Sequence, residues 1–280
     1  MRGTYSMAAL MALEECGLGC AFDHVLGSSA GAINGAYMLA EQAALAVSVY
    51  LDDLSNSSFV NFLRPSKIVD IDYLVDDILK CKKTLNVLKV RRSLSLLHIF
   101  LTDAETGQEA VITNRDEHLD LMEAIRATSA LPILYNRKVR VGSRSYIDGG
   151  LVDSLPVQRA IDLGCTDIVV VLTRPPGYRR DGIPLPFSLL ARAFLRDFPE
   201  IIARRCVDAD ANFNRSMRLI ERRSELTDRF RIVLVAPSDM NYMVSRTTKN
   251  RLKLLRCALM GRNDMRGVLG VEAAHDNPFD

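Results

Sequence analysis

The chain has 280 residues, of which 48% are hydrophobic and 25% are charged, and these proportions exclude a disordered or fibrous protein. Its formal net charge of +2 is too small to indicate a polyanionic partner, so we expect no nucleic-acid binding. The length allows one sizeable core or at most two small domains.

Neither a metal site nor a membrane segment is expected. Cys16 and Cys20 have no second Cys or His pair near them in the sequence, as a zinc site would require. Residues 31–51 are mostly apolar and long enough for a membrane span, but they include Asn34, Glu41 and Gln42, whose burial in lipid is costly. We therefore expect a buried core helix there, and a soluble cytoplasmic protein with reduced thiols and no secretory signal.

The N-terminal elements form a helix, a strand and a second helix. Apolar residues at helical spacing predict a helix over residues 4–16, which Gly17 ends. A short apolar run predicts a strand over residues 22–26. A turn of small residues follows, and then an apolar pattern that predicts one long helix from residue 30 to about residue 51.

Helical and strand patterns continue to alternate along the rest of the chain. They predict a helix at 70–80, an ambiguous segment at 85–95, paired strands at 98–101 and 109–113, a helix at 120–129, a hairpin at 139–147, a helix at 156–163, a fully buried strand at 167–172, a loop at 174–186, helical structure to about 226, a strand at 230–235 and a basic helix at 247–260. This alternation favours a three-layer α/β fold with a mainly parallel central sheet flanked by helices. We expect one domain over residues 1–280, with its core at about 1–175 and a mainly helical portion at about 176–280.

The turn between the first strand and the second helix reads Gly27-Ser28-Ser29-Ala30-Gly31, a Gly-x-Ser-x-Gly pattern. A serine hydroxyl is a weak nucleophile, and a sharp strand-to-helix turn exposes it beside a base and an oxyanion site. The two glycines let neighbouring backbone approach closely, and the helix beginning near Ala30 directs its free N–H groups at a developing oxyanion. A flexible turn could have the same five residues. In this chain, however, a predicted strand precedes the motif and a predicted helix follows it, which favours Ser29 as a nucleophile.

The four histidines offer little support for a Ser-His-Asp triad. They are His24, His98, His118 and His275. In the chain order of α/β-hydrolases the histidine follows the acid, which leaves His275 in a polar terminal tail. His24 lies in the strand just before the serine, and the other two are expected to be structural or surface residues.

An aspartate is the better candidate for the base. Asp148 ends a predicted strand and enters Gly149-Gly150, which places a carboxylate on an uncrowded turn. Asp-Gly is also a common hairpin-turn dipeptide, and alone that explanation would be preferred. Together with the serine motif and the shortage of usable histidines, it favours a Ser29–Asp148 dyad.

Both motifs resemble those of the patatin-like phospholipases, which carry a Ser-Asp dyad in Gly-x-Ser-x-Gly and Asp-Gly-Gly/Ala. Residues 27–32 and 148–150 match the two motifs, residues 127–132 and 155–157 look like their usual surroundings, and the resemblance covers roughly residues 1–175. It implies a patatin-like fold and acyl transfer through an acyl-enzyme, with Ser29 as nucleophile, Asp148 as general base and acid, and no metal or organic cofactor. The motif glycines are Gly27, Gly31, Gly149 and Gly150.

The oxyanion loop departs from that family's Gly-Gly-Gly-x-Arg-Gly pattern. Met1-Arg2-Gly3 fits its last three positions, so we expect an incomplete oxyanion hole to which Arg2, Gly3 and Ala30 contribute. Three functions remain open: a phospholipase A or lysophospholipase, an esterase or thioesterase acting on soluble esters, and a catalytically impaired lipid-binding protein.

A basic stretch after the third predicted helix could contact lipid. Six cations alternate there with apolar residues and could form an amphipathic patch for transient contact with an anionic membrane surface. They are Lys80, Lys82, Lys83, Lys89, Arg91 and Arg92. We favour a solvated helix face on a cytoplasmic protein. Peripheral contact with a membrane is the alternative.

Overall fold

The computed structural model describes residues 1–64, 67–182, 195–222 and 229–272. Its strands are β1 (His24–Gly27), β2 (Leu96–Asp103), β3 (Glu109–Thr113), β4 (Val139–Val141), β5 (Arg144–Asp148), β6 (Asp167–Val171) and β7 (Arg231–Val235). Its α-helices are α1 (Gly3–Glu15), α2 (Ala30–Leu39), α3 (Ala43–Ser48), α4 (Val87–Arg92), α5 (Leu121–Ser129), α6 (Val157–Asp162), α7 (Glu200–Glu221) and α8 (Arg251–Val268). Two π-helical segments, Val49–Asp53 and Tyr73–Lys82, and two short 3-10 turns, Gly149–Leu151 and Met240–Tyr242, are also present.

Several predicted helix boundaries are confirmed because local capping groups fix them. α1 ends before Gly17, whose φ of +72° is the left-handed conformation that closes a helix C-terminus. α5 begins after Asp120, whose carboxylate accepts hydrogen bonds from the amides of Met122 at 2.8 Å and Glu123 at 3.3 Å. α6 ends near Gly164, where φ is +83°.

The single long helix predicted over residues 30–51 is wrong. α2 ends at Leu39, and Glu41 takes the left-handed conformation with φ +54°. The amide of Gln42 then donates to the Tyr37 carbonyl at 2.9 Å, and the Glu41 amide donates to the Met38 carbonyl at 2.9 Å, a pattern that ends helices. No helix in the described parts of the chain is both long and apolar enough to cross a bilayer.

The main sheet is mixed, which corrects the prediction of a mainly parallel sheet. Its central strand β2 pairs parallel with β1 and antiparallel with β3 and β5, while β4 pairs antiparallel with β5. The short connections β2–β3 and β4–β5 are the reason, because strands joined by tight turns must run antiparallel. Helices α2 and α5 pack against β2, so the fold is an α/β fold with a mixed sheet flanked by helices.

β1 and β5 lie end to end along one edge of β2. β3 pairs with β2 over residues 98–102, so it occupies the opposite edge and leaves this one to β1 and β5. On this edge Gly27 pairs with Ile99, and Asp148 pairs with Leu101. Because β1 runs parallel to β2 and β5 antiparallel, the C-terminal ends of both strands meet at alternate residues of β2, roughly 7 Å apart along the strand.

β6 and β7 form a separate parallel pair among the described residues. The two strands occur where the sequence predicts them, but β6 is less than fully buried. Ile168 and Val170 are buried on one face, whereas Val169 and Val171 on the other are half-buried against the main core. The buried face packs with Phe213 and Met217 of α7. This pair and α7 form the second wall of the cavity described below.

The C-terminal helix α8 crosses α1 at close range. A Cβ atom added to Gly261 would lie 2.3 Å from the carbonyl oxygen of Tyr5, so only glycine permits this approach. The Tyr5 hydroxyl donates to the Asp264 carboxylate at 2.8 Å. Although residues 247–260 were predicted to be helical, α8 runs from Arg251 to Val268. It is tied to the helix whose first residues approach Ser29.

Candidate active site

Ser29 lies on a strained turn between β1 and α2. Its φ of 52° and ψ of −126° are unusual for a residue with a side chain, and such a conformation costs on the order of 1–3 kcal/mol. The surrounding structure holds it there: the Ser29 amide donates to Thr128 Oγ1 at 2.9 Å, and that hydroxyl donates to the Phe100 carbonyl at 2.6 Å. The strained backbone is thereby attached to the central strand.

The two glycines of the turn differ in what they do. A Cβ atom on Gly27 would lie 2.5 Å from the carbonyl carbon of Gly31, so glycine is required at position 27. A Cβ atom on Gly31 would have no heavy atom within 4 Å. The prediction that close approach requires both glycines is therefore correct for Gly27 and wrong for Gly31, which faces open space.

Asp148 lies at the end of β5 and is buried, with 3% of its surface exposed. Its carboxylate accepts a hydrogen bond from the Gly150 amide at 2.7 Å, and the Ser29 side chain lies beside it. Burial raises the pKa of Asp148 from its ordinary 3.8 to about 6, while the Gly150 amide, the Ser29 side chain and the nearby Arg246 and Arg180 limit the rise. This pKa leaves the carboxylate mostly ionised at neutral pH and still able to accept a proton.

The backbone next to Asp148 has no room for a side chain. A Cβ atom on Gly149 would lie 2.0 Å from the Phe100 carbonyl oxygen of β2. The Thr102 hydroxyl donates to the Asp148 carbonyl at 2.8 Å, which fixes the same turn from the other side. Asp148 also caps the 3-10 turn that follows it, so the turn-forming use of Asp-Gly and the contact with Ser29 occur together.

Two helix N-termini meet beside Ser29. α2 begins at Ala30 and α1 at Gly3, and a Cβ atom on Gly3 would lie 2.9 Å from the Cβ of Ala30. The Asn34 side chain holds them together by donating to the Gly3 carbonyl at 3.0 Å. Arg2 precedes α1 and lines the same cavity, so all three predicted oxyanion residues lie near the serine. The first N–H groups of a helix have no intrahelical acceptor and favour negative charge.

Ser29 and Asp148 open into a cavity of about 940 Å³. One part of its wall is apolar and comes from the segment after α2 and from neighbouring loops. It includes Tyr50, Leu54, Phe59, Ile71 and Leu134. A concave, mostly apolar space with a few polar groups at one end is the usual form of a small-molecule site, and this one is large enough for an acyl chain.

None of the three described histidines forms a hydrogen bond with Ser29 or Asp148. His24 and His98 are hydrogen-bonded to each other at 3.1 Å, and burial together with the neighbouring His24 lowers the pKa of His98 to about 4. His118 is exposed, and His275 lies outside the described residues. Within the described ranges there is no group of three or more His, Cys, Asp or Glu residues that could hold a metal ion.

The basic stretch is largely paired with acids of its own fold. Lys80 contacts Asp76 at 2.9 Å, Lys83 contacts Asp52 at 3.1 Å, and Lys89 pairs with Glu41 at 2.5 Å. Lys82 pairs with Asp53. Most of these cations therefore already have a carboxylate partner, which favours the solvated helix face over a patch for anionic lipid.

Sequence reasoning missed the residues that support the pair and those that face it. Thr128 lies in residues 127–132, which resemble the surroundings of the family motifs but do not indicate a role for the threonine. Thr102 directly follows the strand predicted at 98–101, and no motif distinguishes it. Arg180 and Arg246 line the cavity from segments that were read as loop and as the approach to a basic helix. Their proximity to Asp148 depends on long-range packing, so no local pattern could have shown it.

Residues 1–161, more than half of the chain, match the family model described as patatin-like phospholipase. The chain is 27% identical over 157 residues to the uncharacterized protein YjjU of Escherichia coli strain K12, a match that covers 55% of this chain and 44% of YjjU. The crystal structure of VipD from Legionella pneumophila superposes with a TM-score of 0.49 at 13% identity, covering 96% of this chain and 65% of VipD. The chain thus spans less than half the length of YjjU and less than two thirds of the length of VipD.

Proposed function

The chain belongs to the patatin-like phospholipase family, and from that premise we propose that it is a lipid acyl hydrolase with Ser29 as nucleophile and Asp148 as general base. One observation carries the proposal: the Ser29 side chain lies beside the buried Asp148 carboxylate and lowers its pKa, within a cavity large enough for an acyl chain. The strained backbone of Ser29 supports it, because such strain gathers at functional sites.

The reaction begins with proton transfer from Ser29 to the ionised Asp148 carboxylate. Ser29 Oγ then attacks the ester carbonyl, and the resulting oxyanion lies near the start of α2 at Ala30 and of α1 at Gly3. Asp148 returns its proton to the departing alcohol, which leaves an acyl group on Ser29. A water molecule gives its proton to Asp148 as it attacks this ester, and Asp148 passes that proton to the departing Ser29 Oγ. The fatty acid is released, and both the serine hydroxyl and the ionised carboxylate are restored.

Replacing the nucleophile tests the proposal. We expect Ser29→Ala to abolish hydrolysis of a p-nitrophenyl ester and covalent labelling by a fluorophosphonate, which reacts only with an activated serine. Ser28→Ala is the matched control, because the Ser28 hydroxyl donates to the Asp153 carbonyl at 2.5 Å and does not contact Asp148. If labelling persisted in Ser29→Ala, another nucleophile would be responsible and the proposal would be wrong.

The alternatives predict different substrate behaviour. A lipid hydrolase gains activity when a short-chain phospholipid passes from monomers to micelles, whereas an esterase acting on soluble esters does not. The apolar wall of the cavity favours the first. A protein that binds vesicles but neither hydrolyses any ester nor reacts with the fluorophosphonate would instead be a catalytically impaired lipid-binding protein.

A further inference from the structure

Four arginines line the cavity that contains Ser29 and Asp148. They are Arg2, Arg174, Arg180 and Arg246. Their charges affect one another: burial, together with repulsion from Arg174, Arg246 and Arg180, lowers the pKa of the Arg2 guanidinium to about 10. Collecting like charges in a partly buried space costs free energy, and a bound anion would recover it.

Most of these cations have no acidic partner. Arg180 lies 3.5 Å from Asp210, but within the described ranges no carboxylate is within ion-pairing distance of Arg2, Arg174 or Arg246. Arg174 Nε is buried without any hydrogen-bond partner. This contrasts with the basic stretch around α4, where carboxylates of the fold neutralise the lysines.

Aromatic rings and amides hold two of the guanidinium groups in place. Arg180 stacks on the Phe213 ring, with 4.0 Å from its guanidinium carbon to the ring centroid, and Arg174 stacks on Tyr178 at 4.5 Å. The Asn214 side chain accepts from the Arg180 amide and donates to the Arg180 carbonyl, both at 2.9 Å. The two rings orient the guanidinium planes, Asn214 fixes the backbone of Arg180, and Arg174 Nε is left without a partner.

Three of the four arginines come from outside the part of the chain that matches the family model. That match covers residues 1–161, whereas Arg174 and Arg180 lie on the loop after β6 and Arg246 lies before α8. The matched part provides Ser29 and Asp148, and the remainder of this chain adds positive charge to the lining of the same cavity. Such an arrangement suits recognition of the substrate better than the chemical step.

We propose that these four arginines bind the phosphate of the substrate's headgroup, so that the enzyme prefers acyl esters with a terminal phosphate to neutral or zwitterionic ones. The inference rests on the proposed function, because it places the scissile ester at Ser29. A guanidinium group forms two parallel hydrogen bonds with phosphate oxygens, and a dianionic phosphate can engage several such groups at once.

Hydrolysis of three matched esters tests the preference. Dihexanoyl phosphatidic acid, dihexanoyl phosphatidylcholine and dihexanoylglycerol share their acyl chains and differ in the headgroup. We expect kcat/KM for the phosphatidic acid to exceed that for the glycerol ester by about 10-fold or more, since one charge-assisted hydrogen bond already accounts for such a factor. Equal values for the three esters would overturn the inference.

Arg246→Gln tests whether the arginines cause the preference for the ester with a phosphate. Arg246 is exposed at the cavity mouth and its side chain is not packed in the core, so its loss should not affect folding. We expect the ratio of kcat/KM for the phosphatidic acid to that for the glycerol ester to fall by about 10-fold. Arg256→Gln, on an exposed part of α8 away from the cavity, is the matched control and should leave the ratio unchanged. The same ratio in both variants and the unaltered protein would refute a role for the cluster.

Binding to the inactive Ser29→Ala protein separates the inference from the proposed function. Calorimetry with sn-glycerol 3-phosphate should detect binding that is weakened about 10-fold by adding Arg246→Gln. If no ester is hydrolysed but this binding difference is found, the proposed function fails and the phosphate site stands. Inorganic phosphate bound as tightly as glycerol 3-phosphate, without any preference among the three esters, would indicate a site for free phosphate and contradict the headgroup assignment.

Discussion

The two walls of the cavity differ in how their polar groups are satisfied. On the sheet side, Ser29, Thr128 and Asp148 have hydrogen-bond partners within the protein, and the latter two are almost fully buried. On the side formed by the C-terminal part, Arg174 and Arg246 have no acidic partner among the described residues. The first wall is organised before any substrate arrives, and the second is left for a ligand to complete.

This difference corresponds to what each wall would have to do. Reacting groups must be held within a fraction of an ångström, and packing against a central strand achieves that. Groups that recognise a headgroup need unpaired donors, which a closed internal network would consume. Four changes would break or sharpen this contrast.

The largest effect is expected from Asp148→Asn. Asparagine can still accept the hydrogen bond from the Gly150 amide, so the turn should remain intact, but it cannot take up the Ser29 proton. We expect kcat to fall by about 10²–10⁴, the usual contribution of general acid–base catalysis. The fall in kcat is measured by following ester hydrolysis to the limit of detection, and circular dichroism verifies that the variant is folded. A loss of less than about 10-fold would mean that another group acts as the base.

The glycines of the Ser29 turn provide a test of preorganisation. Gly27→Ala places a methyl group 2.5 Å from the Gly31 backbone, and we expect it to destabilise the protein by about 1–3 kcal/mol or more. Gly31→Ala is the matched control because its methyl group enters open space, so stability should change by no more than about 1 kcal/mol. Urea unfolding of both variants gives the comparison. Equal losses would show that the turn is less tightly packed than its geometry indicates.

How much the sequence could predict depends on the range of the interactions involved. The Ser29 turn was predicted because glycines stand on either side of it, and Asp148 because two glycines follow it, so both carry local information. The mixed sheet was not, although both of its hairpins were, because no local pattern shows that the two hairpins join the same sheet as β1. The break at Glu41 has no glycine or proline to mark it. The arginine cluster joins residue 2 to residue 246, a distance in sequence that no local motif covers.

Thr128 offers a smaller test of the same wall. Its hydroxyl accepts a hydrogen bond from the Ser29 amide and donates one to the Phe100 carbonyl. Thr128→Val therefore leaves the Ser29 N–H and the Phe100 C=O without these buried partners. We expect a loss of about 1–3 kcal/mol in the free energy of unfolding and a lower kcat. Thr128→Ser keeps the hydroxyl and should retain most of both. If valine and serine behaved alike, packing of the side chain and not its hydrogen bonds would hold the turn.

The smallest expected effect is a shift in the pH dependence of kcat/KM when Arg246 on one wall is replaced, because its charge acts on Asp148 on the other. If Asp148 is the base, kcat/KM should rise with pH around its pKa of about 6, because only the ionised carboxylate accepts the Ser29 proton. Arg246 opposes the increase in that pKa, so Arg246→Gln should shift the midpoint upward by a small amount, while Arg256→Gln should not. A pH–rate profile with dihexanoylglycerol, which has no headgroup charge, isolates this effect from phosphate binding.

The buried Asp148 carboxyl also affects how the stability of the protein depends on pH. Its folded pKa of about 6 lies above the ordinary 3.8, so between these values the folded protein binds more protons than the unfolded chain does. Asp148 therefore makes stability fall as pH rises through that window, and Asp148→Asn should remove this contribution. Urea midpoints of the two proteins across the window measure the difference. An unchanged dependence would mean that Asp148 is less deeply desolvated than its burial implies, and would weaken the case that the sheet wall is organised in advance around it.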